Sequence, residues 1–231
     1  MKLPQPLLSG KLIRRYKRFL ADIELLSGEI VTAHCPNSGS LKGCNDPGNP
    51  VLISRSNNPR RKLRYTWELV QVNGIWVGIN TTYPNRLVKE AIENGTINEL
   101  QGYSSLRGEV PLGDHSRIDL LAERSGEQCW IEVKNVTLVE NGVALFPDAV
   151  TVRGQKHLRE LMKVKAEGAR AVIFFVVQRA DGRVFAPADT IDPDYGRLLR
   201  EAHEAGVEII PYQAQVTPMD ISLSHRIPVQ L

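Results

Sequence analysis

The chain has 231 residues, with 29 Lys/Arg against 26 Asp/Glu and 42% hydrophobic residues. That is enough for one large domain or two small ones, with a core that needs no staples. Cys35, Cys44 and Cys129 form no CxxC pair and leave an odd count, which excludes a disulfide framework or a zinc ribbon.

Reduced thiols fit a cytosol. Met1 to Gly10 carries no secretory pattern, and the longest apolar run, Ala171 to Val177, is too short to span a bilayer. A soluble cytoplasmic protein with no membrane partner is expected. The net charge of +3 is unevenly spread: residues 1–85 hold twelve Lys/Arg against five Asp/Glu, whereas residues 86–231 hold seventeen against twenty-one. A basic half beside an acidic half suggests a polyanion-binding module joined to a metal-binding one.

In chain order, the first elements read as β. Leu7 to Leu26 is a long strand candidate, Ser27-Gly28 a turn and Glu29 to Ala33 the returning strand. Val51 to Ser54 follows, and Leu63 to Val72 and Ile75 to Thr82 flank Asn73-Gly74, a strong hairpin signal. Short strands, regular turns and basic residues predict a small closed barrel over residues 1–83, of the OB type that binds single strands; an SH3-like barrel fits the same pattern. Arg14, Arg15, Lys17 and Arg18 surround Tyr16 and Phe19, a mixture suited to phosphate pairing and base stacking. Arg60, Arg61, Lys62 and Arg64 follow Asn57-Asn58-Pro59 and form a second candidate for backbone contact. In His34-Cys35-Pro36-Asn37-Ser38-Gly39-Ser40, small polar residues suit a nest of amides for a phosphate, with Asn37 as the contact. A tight structural turn is the reading that pattern alone favours there.

Pro84-Asn85 breaks the β pattern. Asn85 is the expected cap of a helix from Arg86 to Asn94, with Gly95 past its end and Glu90 near the edge of its buried side. A loop from Tyr103 to Gly113 is expected next. Ser116 to Leu121 and Cys129 to Val136 then form two strands around Ser125-Gly126. A two-residue loop there sets Arg124 against Glu127 and Asp119 against Glu132, and Lys134 shares their face. Two opposed carboxylates repel, and a hard divalent cation such as Mg²⁺ reverses that penalty. Asp, a gap, then Glu-x-Lys on a hairpin is the arrangement of a metal-dependent nuclease of the PD-(D/E)xK type.

Val136 to Val139 and Val143 to Phe146 form a further hairpin around Asn141-Gly142. Gly154 to Ala166 reads as a helix closed by Gly168, opened by Arg153, Gln155 and His157 near the sheet, where a helix N-terminus suits a phosphate. Arg170 to Gln178 is a central strand, Tyr195 to Ala205 a helix, Val207 to Tyr212 a strand and Val216 to Leu223 an edge pairing. Residues 84–231 are therefore expected to be an α/β (α+β) unit with a mixed sheet.

Six segments together resemble a known family: Ile13 to Asp22, His34 to Gly39, Asn85 to Ile92, Ser116 to Asp119, Ile131 to Lys134, and Phe146 to Thr151 with Arg153 to Leu158. The chain resembles the sugar fermentation stimulation protein A family along nearly its whole length. The resemblance implies an OB barrel followed by a PD-(D/E)xK nuclease-like domain, DNA binding without marked sequence preference, and a part in regulating sugar (maltose) metabolism. By that pattern Asp119, Glu132 and Lys134 match the core site, Glu90 the acidic residue on the first core helix, and Gln155 the polar position on the following helix. Ile118 stands where the motif's name has proline. The expected metal ligands are Asp119, Glu132, the Val133 carbonyl and Glu90, holding Mg²⁺ or Mn²⁺. DNA is the expected partner, with RNA left open; the alternative is a non-catalytic DNA-binding regulator that uses the same fold as a platform.

Overall fold

The computed structural model describes residues 1–112 and 116–231. Six strands come first: β1 (Leu7–Tyr16), β2 (Leu20–Leu25), β3 (Ile30–His34), β4 (Pro50–Arg55), β5 (Tyr65–Val72) and β6 (Ile75–Gly78). They hydrogen-bond in the order β3-β2-β1-β4-β5-β6, and a further pairing of β3 with β5 closes five of them into an OB-like barrel. Alternation along the strands sends Leu12, Ile23, Val31, Ile53, Trp67 and Val77 inward to one core.

The expected single strand from Leu7 to Leu26 is two strands. Lys17 and Arg18 take left-handed φ values of 47° and 64°, and the Phe19 amide bonds back to the Lys17 carbonyl at 2.7 Å. From Lys11 to Leu26 the run holds no glycine or proline, so nothing in its composition marks a turn at Lys17-Arg18.

Helix α1 (Pro84–Glu93) follows, and after a short 3₁₀ turn come β7 (Ser105–Leu112), β8 (Ser116–Arg124), β9 (Glu127–Val136), β10 (Leu138–Glu140) and β11 (Val143–Phe146). Then come α2 (Val152–Ala166), β12 (Arg170–Val177), β13 (Val184–Pro187), α3 (Pro193–Glu204), β14 (Glu208–Val216) and β15 (Ile221–Arg226). The large sheet has the order β15-β14-β12-β9-β8-β7, parallel across β9, β12 and β14 and antiparallel outside them. The expected loop from Tyr103 is instead the edge strand β7; Gly113 lies outside the described residues. Leu106, Val110 and Leu112 alternate as its half-buried side, but Gly108, Glu109 with a left-handed φ of 53° and Pro111 interrupt the pattern and disguise the strand. α1 starts at Pro84 with Tyr83 as its cap residue, because proline fits the first helical position; Asn85 sits inside the first turn.

β12 is apolar from Ala171 to Val177 because both its faces are covered. Val172, Phe174 and Val176 meet a cluster that includes Leu87, Val88 and Ala91 of α1 together with Leu52 and Leu69 of the barrel wall. Ala171, Ile173, Phe175 and Val177 meet Leu158 and Leu161 of α2 and Leu198 and Leu199 of α3. Barrel and large sheet therefore share one apolar core. A small sheet, β10-β11-β13, leads into the loop before α2. Among the described residues, no helix is long and apolar enough to cross a membrane.

Gly10 tests the barrel packing. A Cβ there would lie 2.6 Å from the Glu24 carbonyl oxygen and 2.7 Å from Ile23 Cγ2. Backbone cannot rotate aside, so Gly10→Ala is expected to cost about 2 kcal/mol, read as a lowered midpoint in thermal and urea unfolding.

Candidate active site

The β8–β9 ladder runs from Arg124↔Glu127 to Leu120↔Ile131, in the predicted register. One step further would set Asp119 against Glu132, but the ladder ends and β9 continues alone along β12 to Val136. The parting leaves the Val133 N–H without a cross-strand carbonyl. Asp119 Oδ2 accepts it instead, at 2.8 Å. A strand residue's N–H and C=O point to one edge, so the Val133 carbonyl faces the same parting. Asn85, in the first turn of α1, donates its Nδ2–H to Asp119 Oδ1 at 2.8 Å.

Glu132 is 2% exposed. Its Oε1 accepts from Lys134 Nζ at 2.5 Å and from His157 Nδ1. Arg153 Nε donates to His157 Nε2 at 3.4 Å, which leaves the ring proton on Nδ1, facing Glu132. Glu132 Oε2 is buried with no partner. Burial and the neighbouring charge of Glu132 push the Asp119 carboxyl above the usual carboxylate range, against the pull of Val133 N–H, Asn85 and Lys134. Burial likewise opposes ionisation of Glu132, but His157 and Lys134 outweigh it and hold that carboxyl below its ordinary value. The two acids are thus pulled apart by their surroundings, a pattern typical of working sites.

These groups line a cavity of ≈ 370 Å³, walled on the barrel side by Asn37, Ser38 and Gly39 and opposite by residues from Phe146 to Thr151. The two walls are tied together: Leu41 N–H donates to Asp148 Oδ2 at 2.8 Å and Ser40 Oγ to the Asp148 carbonyl at 2.5 Å. The start of α1 is anchored to the barrel as well. Glu68 of β5, 2% exposed, accepts from Ser54, Asn80 and the Tyr83 hydroxyl at 2.6, 2.7 and 2.8 Å.

Several expected site residues lie elsewhere. Glu90 bonds the Met1 ammonium at 2.8 Å and does not line the cavity, because five residues turn α1 by about 140° beyond Asn85. Gln155 points to Asp192, the cap of α3, at 3.0 Å, while Arg153 and His157, one turn apart, face the carboxylates. Arg15 is a structural clamp: its guanidinium donates to the carbonyls of Ser40, Asn37 and Gly39 at 2.8 Å and to that of Arg18 at 3.0 Å. Asn37 is buried, donating to the Ile79 carbonyl and accepting from Gly39 N–H, so the segment is the structured turn that the pattern favoured. Arg14 pairs with Asp22 at 2.8 Å and covers the Tyr16 ring, whose hydroxyl also bonds Asp22. Arg61 donates to Thr66 Oγ1, whereas Lys17, Arg18, Arg60 and Lys62 are exposed. Asn85 is the residue whose position at the site the sequence reading missed; its place directly after a helix-starting proline was the available signal. Among the described residues, no group of three His, Cys, Asp or Glu side chains forms a metal cage.

A closed OB-like barrel joined to a mixed-sheet α/β unit, with two carboxylates and a lysine at a parted hairpin, is the class of protein that the fold and the site define. Comparison with known proteins names the family. Residues 13–79 match the SfsA N-terminal OB domain and residues 82–220 the sugar fermentation stimulation protein RE domain. The chain belongs to the sugar fermentation stimulation protein (SfsA) family. The sugar fermentation stimulation protein homolog of Geobacter sulfurreducens is 66% identical over 229 residues, covering 99% of this chain and 98% of that protein. That of Geotalea uraniireducens is 64% identical over 231 residues, covering both chains in full. Among solved structures, Pyrococcus furiosus SfsA in complex with Ca²⁺ is 30% identical, with a TM-score of 0.91, covering 100% of this chain and 98% of that one.

Arg15 and Arg60 should separate sharply. Arg15→Ala strips the wall of its charged donor and is expected to cost about 2 kcal/mol in urea unfolding. Arg60→Ala, at an exposed loop, should stay within about 0.5 kcal/mol of the parent protein.

Proposed function

We propose that the chain is a divalent-metal-dependent phosphodiesterase that binds DNA largely without regard to sequence, using Mg²⁺ or Mn²⁺. Residues 1–83 supply the binding surface and residues 84–231 the catalytic one. The observation that carries this reading is Glu132 Oε2, a buried carboxylate oxygen without a partner, beside Asp119 at the parted edge. Leaving such an oxygen unsatisfied is costly unless a ligand completes it. The donor set fits a hard cation: Asp119, Glu132 and the Val133 carbonyl are all oxygen donors, and Mg²⁺ is commonly held by one or two carboxylates with waters completing its shell. The Ca²⁺ of the Pyrococcus relative's complex has the same preference for oxygen.

When bound, such a cation lowers the pKa of an attacking water and neutralises phosphate charge. The chain's own residues do the rest. Asn85 and the Val133 N–H hold Asp119 in place, and His157 holds Glu132. Lys134 places a positive charge beside the reacting phosphate, and Arg153 extends that field to the cavity mouth. The exposed cations Lys17, Arg18, Arg60 and Lys62 attract the backbone.

Purified protein incubated with labelled DNA or RNA should cleave in Mg²⁺ or Mn²⁺ and stop in EDTA. Asp119→Asn and Lys134→Ala should each lose cleavage by roughly two orders of magnitude or more while keeping metal-free binding within a few-fold. Calorimetry should show metal binding lost in Asp119→Asn and kept in Lys134→Ala. If the parent protein cleaves nothing with any divalent metal, the enzyme reading fails and a DNA-binding regulator replaces it. On the binding side, replacing Lys17 and Arg18 together by Ala should flatten the dependence of log affinity on log salt by about two. An unchanged slope would place the contact on another face.

A further inference from the structure

The turn between β1 and β2 directs its side chains outward. Lys17 and Arg18 are exposed, and the Phe19 ring keeps 44% of its surface in water. Beside it, at the end of β3, lies the His34 ring, with centroids 6.5 Å apart and planes tilted by 33°. The backbone fixes the pair, since Cys35 N–H donates to the Phe19 carbonyl at 2.8 Å. An exposed Phe19 beside a half-buried His34, flanked by two cations, matches the parts used on single strands: π faces for bases and ammonium or guanidinium groups for phosphates.

What makes the pair more than a surface feature is its rigid connection to the cavity. Asn37, the first wall residue, is three residues past His34, at most about 10 Å of chain. Arg15 grips the Arg18 carbonyl and those of Asn37, Gly39 and Ser40 with one guanidinium, so turn and wall move as one piece. The wall cannot swing away from the opposite side. A Cβ at Gly39 would lie 2.6 Å from Asp148 Oδ1, and Asp148 is held by Leu41 N–H. The wall between the cavity and the Phe19–His34 pair is thus braced from both sides.

We propose that the strand held at Asp119, Glu132 and Lys134 is unpaired, and that it leaves the cavity over the wall from Asn37 to Ser40. One base then stacks on the Phe19–His34 pair, with phosphates against Lys17 and Arg18. The cavity end of this path rests on the nuclease reading given above; the platform itself does not.

The two are tested separately. In EDTA, short oligothymidine and oligouridine carrying a single 2-aminopurine, placed at successive positions, are titrated with the full chain. At one position the fluorescence should be quenched on binding, with DNA, RNA or both. Phe19→Leu should abolish the quench and weaken single-strand affinity on the order of tenfold. Phe19→Trp should keep both, which excludes misfolding as the cause. A duplex of the same sequence should compete at least tenfold less well than the single strand, by the same loss of stacking. Undiminished single-strand affinity in Phe19→Leu, equal competition by duplex, or no quench at any position would each overturn the platform. Cleavage in Mg²⁺ is scored apart. A parent protein that quenches but never cleaves sinks the nuclease reading alone. One that cleaves duplex and single strand alike, unaffected by Phe19→Leu, sinks the platform alone.

Discussion

Two carboxylates at the parted edge of a buried hairpin are the constraint around which the rest of the structure is arranged. Charges removed from water cost several kcal/mol each unless other groups replace the lost hydration. Asp119 and Glu132 receive those groups from four separate places. The β8–β9 ladder breaks to free the Val133 amide. α1 begins where Asn85 reaches Asp119, and α2 begins where His157 reaches Glu132. Lys134 arrives from the same strand, two residues on. Compensation is complete for three of the four oxygens and stops short at Glu132 Oε2, the shortfall on which the proposed metal site rests.

The helices that bring these groups are positioned from a distance. Tyr83 caps α1, and its hydroxyl is held by Glu68 on a barrel strand, so the barrel sets the height at which Asn85 meets Asp119. Thr151 caps α2 with its own side chain on Gly154 N–H, and its N–H is taken by Asp192, the cap of α3. Gln155 braces the same Asp192. Polar residues away from the chemistry thereby fix the angles at which the first turns of both helices approach the hairpin. Under the proposed function, preorganisation of this kind would let a few donors act on a phosphate without reorganising.

Much of this was legible in the sequence where local chemistry dictates geometry. Asn73-Gly74, Ser125-Gly126 and Asn141-Gly142 announced hairpins because their positive φ values, from 46° to 86° across those pairs, suit Asn-Gly and Ser-Gly. The turn at Ser125-Gly126 fixed the register that brings Asp119 and Glu132 together. The run from Ala171 to Val177 announced a strand covered on both faces. What stayed hidden depends on docking. Periodicity places Asn85 and Glu90 on one helix, but only the angle at which α1 lies on the sheet decides which of them meets Asp119. The same holds for Gln155 against Arg153 and His157. Arg15 read as one more surface cation because nothing local reveals that four carbonyls converge on it. β7 was hidden because Gly108, Glu109 and Pro111 interrupt its alternation of Leu106, Val110 and Leu112.

Asp148 carries a consequence for how such a protein can change over time. Its carboxylate and carbonyl hold a barrel loop whose glycine has room for no side chain, while Leu52 and Leu69 of the same barrel complete the packing beneath α1. Barrels of this general kind are often described as interchangeable modules, shuffled by recombination onto new neighbours. Here the seam runs through a cavity wall and an apolar core at once. A barrel imported from elsewhere would arrive without the loop length, the glycine or the matching aliphatic residues, and its host would lose both a wall and part of its packing. A change on either side of the seam is therefore answerable to the other.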